Sequence, residues 1–390
     1  MTRDRIRTAV LLIALLTAVA AVSLPAQEEL VTVYGETRDD GTVVIRASSA
    51  HIIPVYLNVD VPRLVGMESN VELPFGIELA PGTVGRELFE LSPTRTSGRI
   101  GYGLQYSFAR GNPATASHDD EFRYLIPFAH GDKRRLSQGF GGRFSHYGEN
   151  EYAVDFEMPE GTPVYAARDG LVAEVKEDSQ VGGPSVSYSD DGNFILVMHA
   201  DGSFANYVHL RYGGAVVEPG DRVREGDLIG YSGNTGRSSG PHLHFDVRLP
   251  APDGTMQSIP FLFRGRDGVA VVPEEGRFYY AHHPGGEPFE EVFGRDLALS
   301  DFAGYAEPFT AAEEVEIRVE QVDLTFLVFV QNGLDRESNV EIRFQLSGLS
   351  SDNGTRITRV VPARTEVLAT ILRPIAGATS IRYGYSVRYR

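Results

Sequence analysis

The chain has 390 residues, with 53 Asp and Glu against 36 Lys and Arg, a formal net charge of −17. A surface of that sign argues against nucleic-acid binding and against electrostatic adhesion to anionic membranes or wall polymers. There is no cysteine, so neither a disulfide framework nor a thiolate metal site is possible, and any metal must rest on His and carboxylate ligands.

In chain order, the first residues carry Arg3, Arg5 and Arg7, then an apolar run from Ala9 to Val22, then Ser23-Leu24-Pro25-Ala26. A basic start, an apolar stretch too short to span a bilayer and a small residue before Gln27 predict a Sec-type signal peptide over residues 1–26. The expected product is exported, periplasmic or extracellular. No second apolar run of membrane length follows, so no stable membrane span is expected once the signal is removed. From 28 to 117 the chain reads as short strands, among them Leu30–Tyr34, Thr42–Ala47, Ile53–Val59 and Gly101–Phe108, with Asp39-Asp40-Gly41 as a hairpin signal. An antiparallel β-sandwich module is the simplest architecture for them. The stretch from Arg110 to Asp120 reads as a linker, with His118-Asp119-Asp120 as a solvated turn.

Residues 130–265 alternate short strands with turn signals such as Asp169-Gly170, Asp201-Gly202 and Gly220-Asp221. This composition predicts a compact antiparallel sheet. The last segment, 302–390, repeats the β-rich pattern of the first. Glu68-Ser69-Asn70-Val71-Glu72 recurs as Glu337-Ser338-Asn339-Val340-Glu341, and Tyr102-Gly103 as Tyr383-Gly384. Aligning the pentapeptides requires a loop twelve residues longer in the second copy. The expected fold class is therefore all-β, a central antiparallel-sheet domain flanked by two related β-sandwich modules.

Three stretches of the central domain carry the chemistry. In Gly240-Pro241-His242-Leu243-His244-Phe245-Asp246, side chains two apart share a strand face, so His242 and His244 project together while Leu243 and Phe245 face a core. Two imidazoles on one face can serve one metal ion. Upstream, Phe144 to Phe156 offers His146 and Asp155, and Asn206-Tyr207-Val208-His209-Leu210 lies between. Tyr207 is expected on the face of His209, lining a groove.

Together with Gly161-Thr162-Pro163-Val164, His199 before Asp201-Gly202, and the run Gly233 to Gly240, these stretches resemble the M23 family of zinc metallopeptidases, the LytM and lysostaphin type that cut peptide cross-links of bacterial cell walls. The resemblance covers about residues 136 to 250. It implies a LytM-like sheet with a groove, one Zn²⁺ per chain on His146, Asp155 and His244, and His209 and His242 beside the metal without binding it. His242 would then be general base and His209 hydrogen-bond donor to the oxyanion, roles that the two could exchange. His146 and Asp155 stand nine residues apart where many members have four, with Asn150 at the shorter spacing; Glu149 and Glu151 are rival carboxylates. His199 is expected to be structural, His51 and His130 lie outside the frame, and His282-His283 reads as an exposed turn. Asn234 suits either a turn or contact with substrate backbone.

The functional expectation is an exported zinc endopeptidase acting on stem peptides or cross-bridges of peptidoglycan. A non-catalytic regulator recruiting wall amidases and a peptidase of exported proteins are the alternatives.

Overall fold

The computed structural model describes residues 30–94 and 99–390, together with the backbone of residues 7–9. The leader expected over residues 1–26 lies outside the described residues apart from Arg7–Ala9, whose backbone pairs with Tyr106, Gln105 and Leu104. Among the described residues the helical elements are 3₁₀ turns of three to six residues, and the fold is all-β. The chain forms two compact units, Met1–Gly286 and Glu287–Arg390.

Two sheets open the first unit. One places Val31–Thr37, Val43–Ser49, Arg86–Pro93 and Met67–Ser69 side by side, and the other sets Val55–Val65 between Gly101–Arg110 and Phe75–Leu79. Strand alternation turns Ile45, Ala47, Val55, Leu57 and Val59 inward, all fully buried, so the two sheets close over one apolar core.

The second unit repeats this strand order. Val315–Val322, Thr325–Asn332, Thr365–Pro374 and Leu349–Ser351 form one sheet, while Ser338–Ser347 lies between Arg382–Tyr389 and Arg356–Val361 in the other. Strand starts Val31, Val43, Val55 and Gly101 answer to Val315, Thr325, Ser338 and Arg382, displaced by 281 to 284 residues. This frame keeps the Tyr102 and Tyr383 match and overturns the pentapeptide match. Glu68 and Ser69 end the short strand Met67–Ser69, whereas Ser338–Ser347 is the counterpart of Val55–Val65. No longer loop is needed; five polar and apolar residues in alternation recur by chance in β-rich sequence.

The rest of the first unit is built on a large antiparallel sheet. Its central strands run in the spatial order Gly170–Lys176, Asn193–Met198, Phe204–Ala215, His242–Pro250, Val154–Glu157, Lys133–Gln138. Phe156, Tyr207, Leu243, Phe245 and Val247 are fully buried beneath it. At about 1.5–3 kcal/mol for each large apolar side chain buried, this cluster fixes the register of the strands that carry the histidines.

The segment expected to be a linker is packed near its ends while Asp119 and Asp120 are exposed. The His118 side chain is 2% exposed and stacks on Tyr124 with ring centroids 5.9 Å apart, and Ser117 N–H donates to the Asp201 carbonyl at 2.9 Å. Near its start, Gly111 has φ +74° and lies so close to the Phe204 ring that a Cβ would stand 3.2 Å away. Ile53 of the first sandwich shares a core with Leu196 and Phe204 of the large sheet. Apolar contact on both sides of the segment explains its order.

Candidate metal and catalytic site

Val154–Glu157 and His242–Pro250 are antiparallel neighbours whose register sets Asp155 directly opposite His244. Non-neighbouring faces of one strand could not meet; here the pairing itself brings carboxylate and imidazole together. Asp155 Oδ1 lies 3.0 Å from His244 Nδ1, 3.1 Å from His146 Nε2 and 3.6 Å from His242 Nε2. One ligand atom from each of His146, Asp155 and His244 falls within 4.8 Å of the others, and all three residues are buried. Among the described residues no other group of three His or carboxylate side chains converges in this way. The rival carboxylates Glu149 and Glu151 are outside the cluster.

Each ring is oriented by its far nitrogen. A carbonyl can only accept, so the 2.8 Å contact from His146 Nδ1 to the Gly139 carbonyl makes that nitrogen the N–H and leaves Nε2 with the lone pair. That Nε2 is buried and makes no hydrogen bond. His244 is turned the other way: Nδ1 faces Asp155, while Nε2 faces Asp246 Oδ2 at 3.0 Å. Gln138 Nε2 holds Asp155 from behind, donating to Oδ2 at 3.0 Å and to Ser145 Oγ at 2.8 Å. An orphaned buried lone pair, a carboxylate oxygen and an imidazole braced by a second carboxylate make a set that fits Zn²⁺, which takes three protein ligands of this kind and keeps a fourth position open.

Charge follows the same geometry. Burial pushes Asp155 up, but the imidazoles of His242, His146 and His244 prevail and hold it well below the usual carboxylate range. Burial pushes His244 down, yet its hydrogen bonds to Asp155 and Asp246 lift it to about 9. Burial, with His242 and His244 adding to it, keeps His209 well below 6.5 and therefore neutral.

His209 owes its place to an irregularity. Asn193 pairs with Leu210 and Phe194 with Val208, so His209 is the extra residue of a β-bulge, at φ +66°. Its ring centroid lies 4.6 Å from that of His242 and 5.8 Å from that of His244. The bulge corrects the expectation for Tyr207, which does not line the groove: it is fully buried, its hydroxyl accepting from the Ala167 N–H at 2.7 Å. Counting by two along a strand fails across an inserted residue. Both free histidines send Nδ1 to a backbone carbonyl, His209 to Thr235 at 2.6 Å and His242 to Gly240 at 2.8 Å. A carbonyl only accepts, so in each ring Nδ1 carries the hydrogen and Nε2 is the nitrogen turned toward the site.

Beyond the predicted residues lies a support missed from sequence. Asp246, fully buried, accepts from His244, from Asn206 Nδ2 at 3.3 Å, from Arg248 Nη2 at 2.8 Å and from Arg248 Nε. Burial pushes Asp246 up, but Arg248 dominates and keeps it ionised. Arg248 Nη2 also donates to Asn150 Oδ1 at 2.6 Å, tying the His-x-His strand to the loop after His146. The alternation of His242, His244, Asp246 and Arg248 on one face was the available signal.

The other histidines take structural places. His199 is 1% exposed, with Nδ1 on the Asp169 carbonyl at 2.8 Å. His283 is not an exposed turn: it is half-buried, Nε2 donating to the Phe128 carbonyl at 2.7 Å while its N–H donates to His130 Nδ1 at 3.0 Å.

A groove of about 760 Å³ runs past His209 and His244, and a cleft of about 340 Å³ lies beside Asp155 and His242. Residues 149–257 match the model of Peptidase family M23. The chain carries an M23 peptidase domain. Asp155, His209, His242 and His244 fall within the match, and His146 precedes it by three residues. The M23 domain is similar to the peptidoglycan DD-endopeptidase ShyA of Vibrio cholerae, 35% identical over 119 residues, 30% of this chain and 25% of that protein. It is also similar to the glycyl-glycine endopeptidase ALE-1 of Staphylococcus capitis, 42% identical over 99 residues, 25% of this chain and 24% of that protein. Among solved structures, the catalytic domain of lysostaphin from Staphylococcus simulans is 33% identical, covering 33% of this chain and 87% of that one with a TM-score of 0.24. The chain spans about a quarter of the length of the curated relatives it matches.

Proposed function

We propose that this protein is an exported zinc metalloendopeptidase that hydrolyses peptide cross-links of peptidoglycan. The observation that carries the reading is the convergence of His146, Asp155 and His244, with two further imidazoles at its edge and a groove leading to it. The names of the related proteins, DD-endopeptidase and glycyl-glycine endopeptidase, supply the substrate class.

His146 would hold the ion through Nε2, His244 through Nδ1 and Asp155 through Oδ1. Zn²⁺ on two neutral imidazoles and one carboxylate supplies Lewis acidity, enough to bring a water molecule toward a pKa of about 7 and to polarise a carbonyl. His242, its Nε2 lone pair turned to the Asp155 side, accepts the water proton and returns it to the leaving amine. His209 in its neutral tautomer has no Nε2 proton, so it donates to the carbonyl oxygen only when protonated. That chemistry supports the exchanged division as well, in which His209 is the base.

The test is zinc content and release of cross-linked peptides from purified sacculi by residues 27–390, with His244→Ala as control. One zinc per chain and cleavage that vanishes in the variant are expected. Bound zinc without cleavage of the wall would point to the peptidase of exported proteins, and absence of zinc to the regulator.

A further inference from the structure

The groove of an acidic protein ought to repel carboxylates, yet one cation stands in it without a carboxylate of its own. Arg237 lines both the groove beside His209 and His244 and the cleft beside Asp155 and His242; only Ser145 shares that position. The other two arginines of the groove are neutralised, Arg110 by Glu174 at 2.8 Å and Arg248 by Asp246. Among the described residues no carboxylate oxygen lies within the 4.0 Å of an ion pair with Arg237. Its Nη1 donates to the Tyr147 hydroxyl and its Nη2 to the Phe144 carbonyl, both at 3.2 Å, and Nε is buried with no partner. A guanidinium has five N–H donors, so most of its capacity is unused.

The cation is also fixed. Its guanidinium lies 5.3 Å from the centroid of the Phe144 ring, and Phe144 and Tyr147 flank the ligand His146, so one loop positions both. On the other side, Gly236 has φ +75° and stands so near Gly192 that a Cβ would lie 2.5 Å from its Cα. A fork held in this way is suited to a planar anion.

Resting on the peptidase reading, we infer that Arg237 recognises a free carboxylate next to the scissile amide. In a D,D amide the nearest free carboxylate sits on the carbon that bears the leaving nitrogen, whether in a cross-link or in a terminal D-Ala-D-Ala. A glycine bridge offers none. Arg237 thus selects D,D cross-links over glycine bridges.

Binding tests this apart from turnover. The zinc-loaded full chain carrying His242→Ala is titrated with two synthetic D,D-linked peptide dimers, identical except that this carboxyl group is free in one and a carboxamide in the other. The free acid should bind about tenfold tighter, Arg237→Gln should bring the ratio to about one, and Arg237→Lys should keep part of it. Equal affinities with Arg237 present, no measurable binding of either dimer, or a ratio unmoved by Arg237→Gln overturns the inference. A glycine-bridged dimer, which lacks this carboxylate, that binds as tightly as the free acid would overturn the selection of D,D cross-links. Cleavage of sacculi by the unsubstituted chain judges the peptidase reading separately.

Discussion

Asp246→Asn tests the support behind the metal ligands. The substitution preserves shape but removes the charge that faces both His244 and the buried guanidinium of Arg248. Arg248 would keep its hydrogen bond to Asn150 but lose its ion pair, and breaking a buried pair from one side costs about 3–5 kcal/mol. For a unit of this size each kcal/mol lowers the midpoint by about 2–4 °C, so the zinc-free protein should melt about 6–20 °C lower. Zinc affinity should fall separately, by about 10–100-fold, because the amide no longer draws the Nε2 proton of His244. Differential scanning calorimetry and competition with a chromophoric chelator read the two effects. Adding Arg248→Met removes the uncompensated cation, and it should restore much of the melting temperature while leaving zinc affinity low. If Asp246→Asn keeps both stability and affinity, the carboxylate does not brace the site.

His209→Ala and His242→Ala should each reduce cross-link cleavage at least 100-fold with zinc content near one per chain; loss of metal in either would make that residue a ligand. Asp155→Ala should lose tight zinc binding, whereas Glu149→Gln and Glu151→Gln should keep it, and the reverse pattern would move the third ligand to the loop. Burial, in each case the main cause, holds His51 and His199 down at about 4. With the folded value below the unfolded 6.5, the unfolded chain takes up the proton first, so stability present above pH 6.5 is lost as pH falls toward 4. By pH 5 each histidine should cost about 2 kcal/mol. Urea unfolding at pH 7.5 and 5 should show that loss, and His199→Gln should reduce it by about half; an unchanged pH slope would refute the assignment.

The part of the site legible in sequence is the part governed by unbroken alternation. His242 and His244 share a face because the strand continues regularly, and Leu243 and Phe245 fill the core as the period requires. Asp155 was identifiable despite its displaced spacing because the strand that carries it is fixed by its neighbours, and ladder pairing brings it opposite His244. What alternation could not carry was the bulge, which turns His209 outward although Tyr207, in regular register opposite Phe245, faces the core. The strand order that the two sandwiches share sets Tyr102 and Tyr383 in corresponding strands but not the pentapeptides, since sandwich strands tolerate many sequences of one pattern. Asp246 and Arg248 were visible as a continuation of the histidine face, although a buried ion pair is hard to tell from surface charge until burial is known.

The bulge at His209 also marks a change of partners. Up to Val208 the strand pairs with His242–Pro250, and from Leu210 onward with Leu228–Ser232. Two ladders therefore part at the residue whose imidazole faces the ligands. An opening made by parting strands needs no hollow in the core, so catalytic access and a fully packed interior are not in competition. It also makes His209 a matter of counting: one extra residue against Asn193–Met198 lets the consecutive side chains of Val208 and His209 both line the groove.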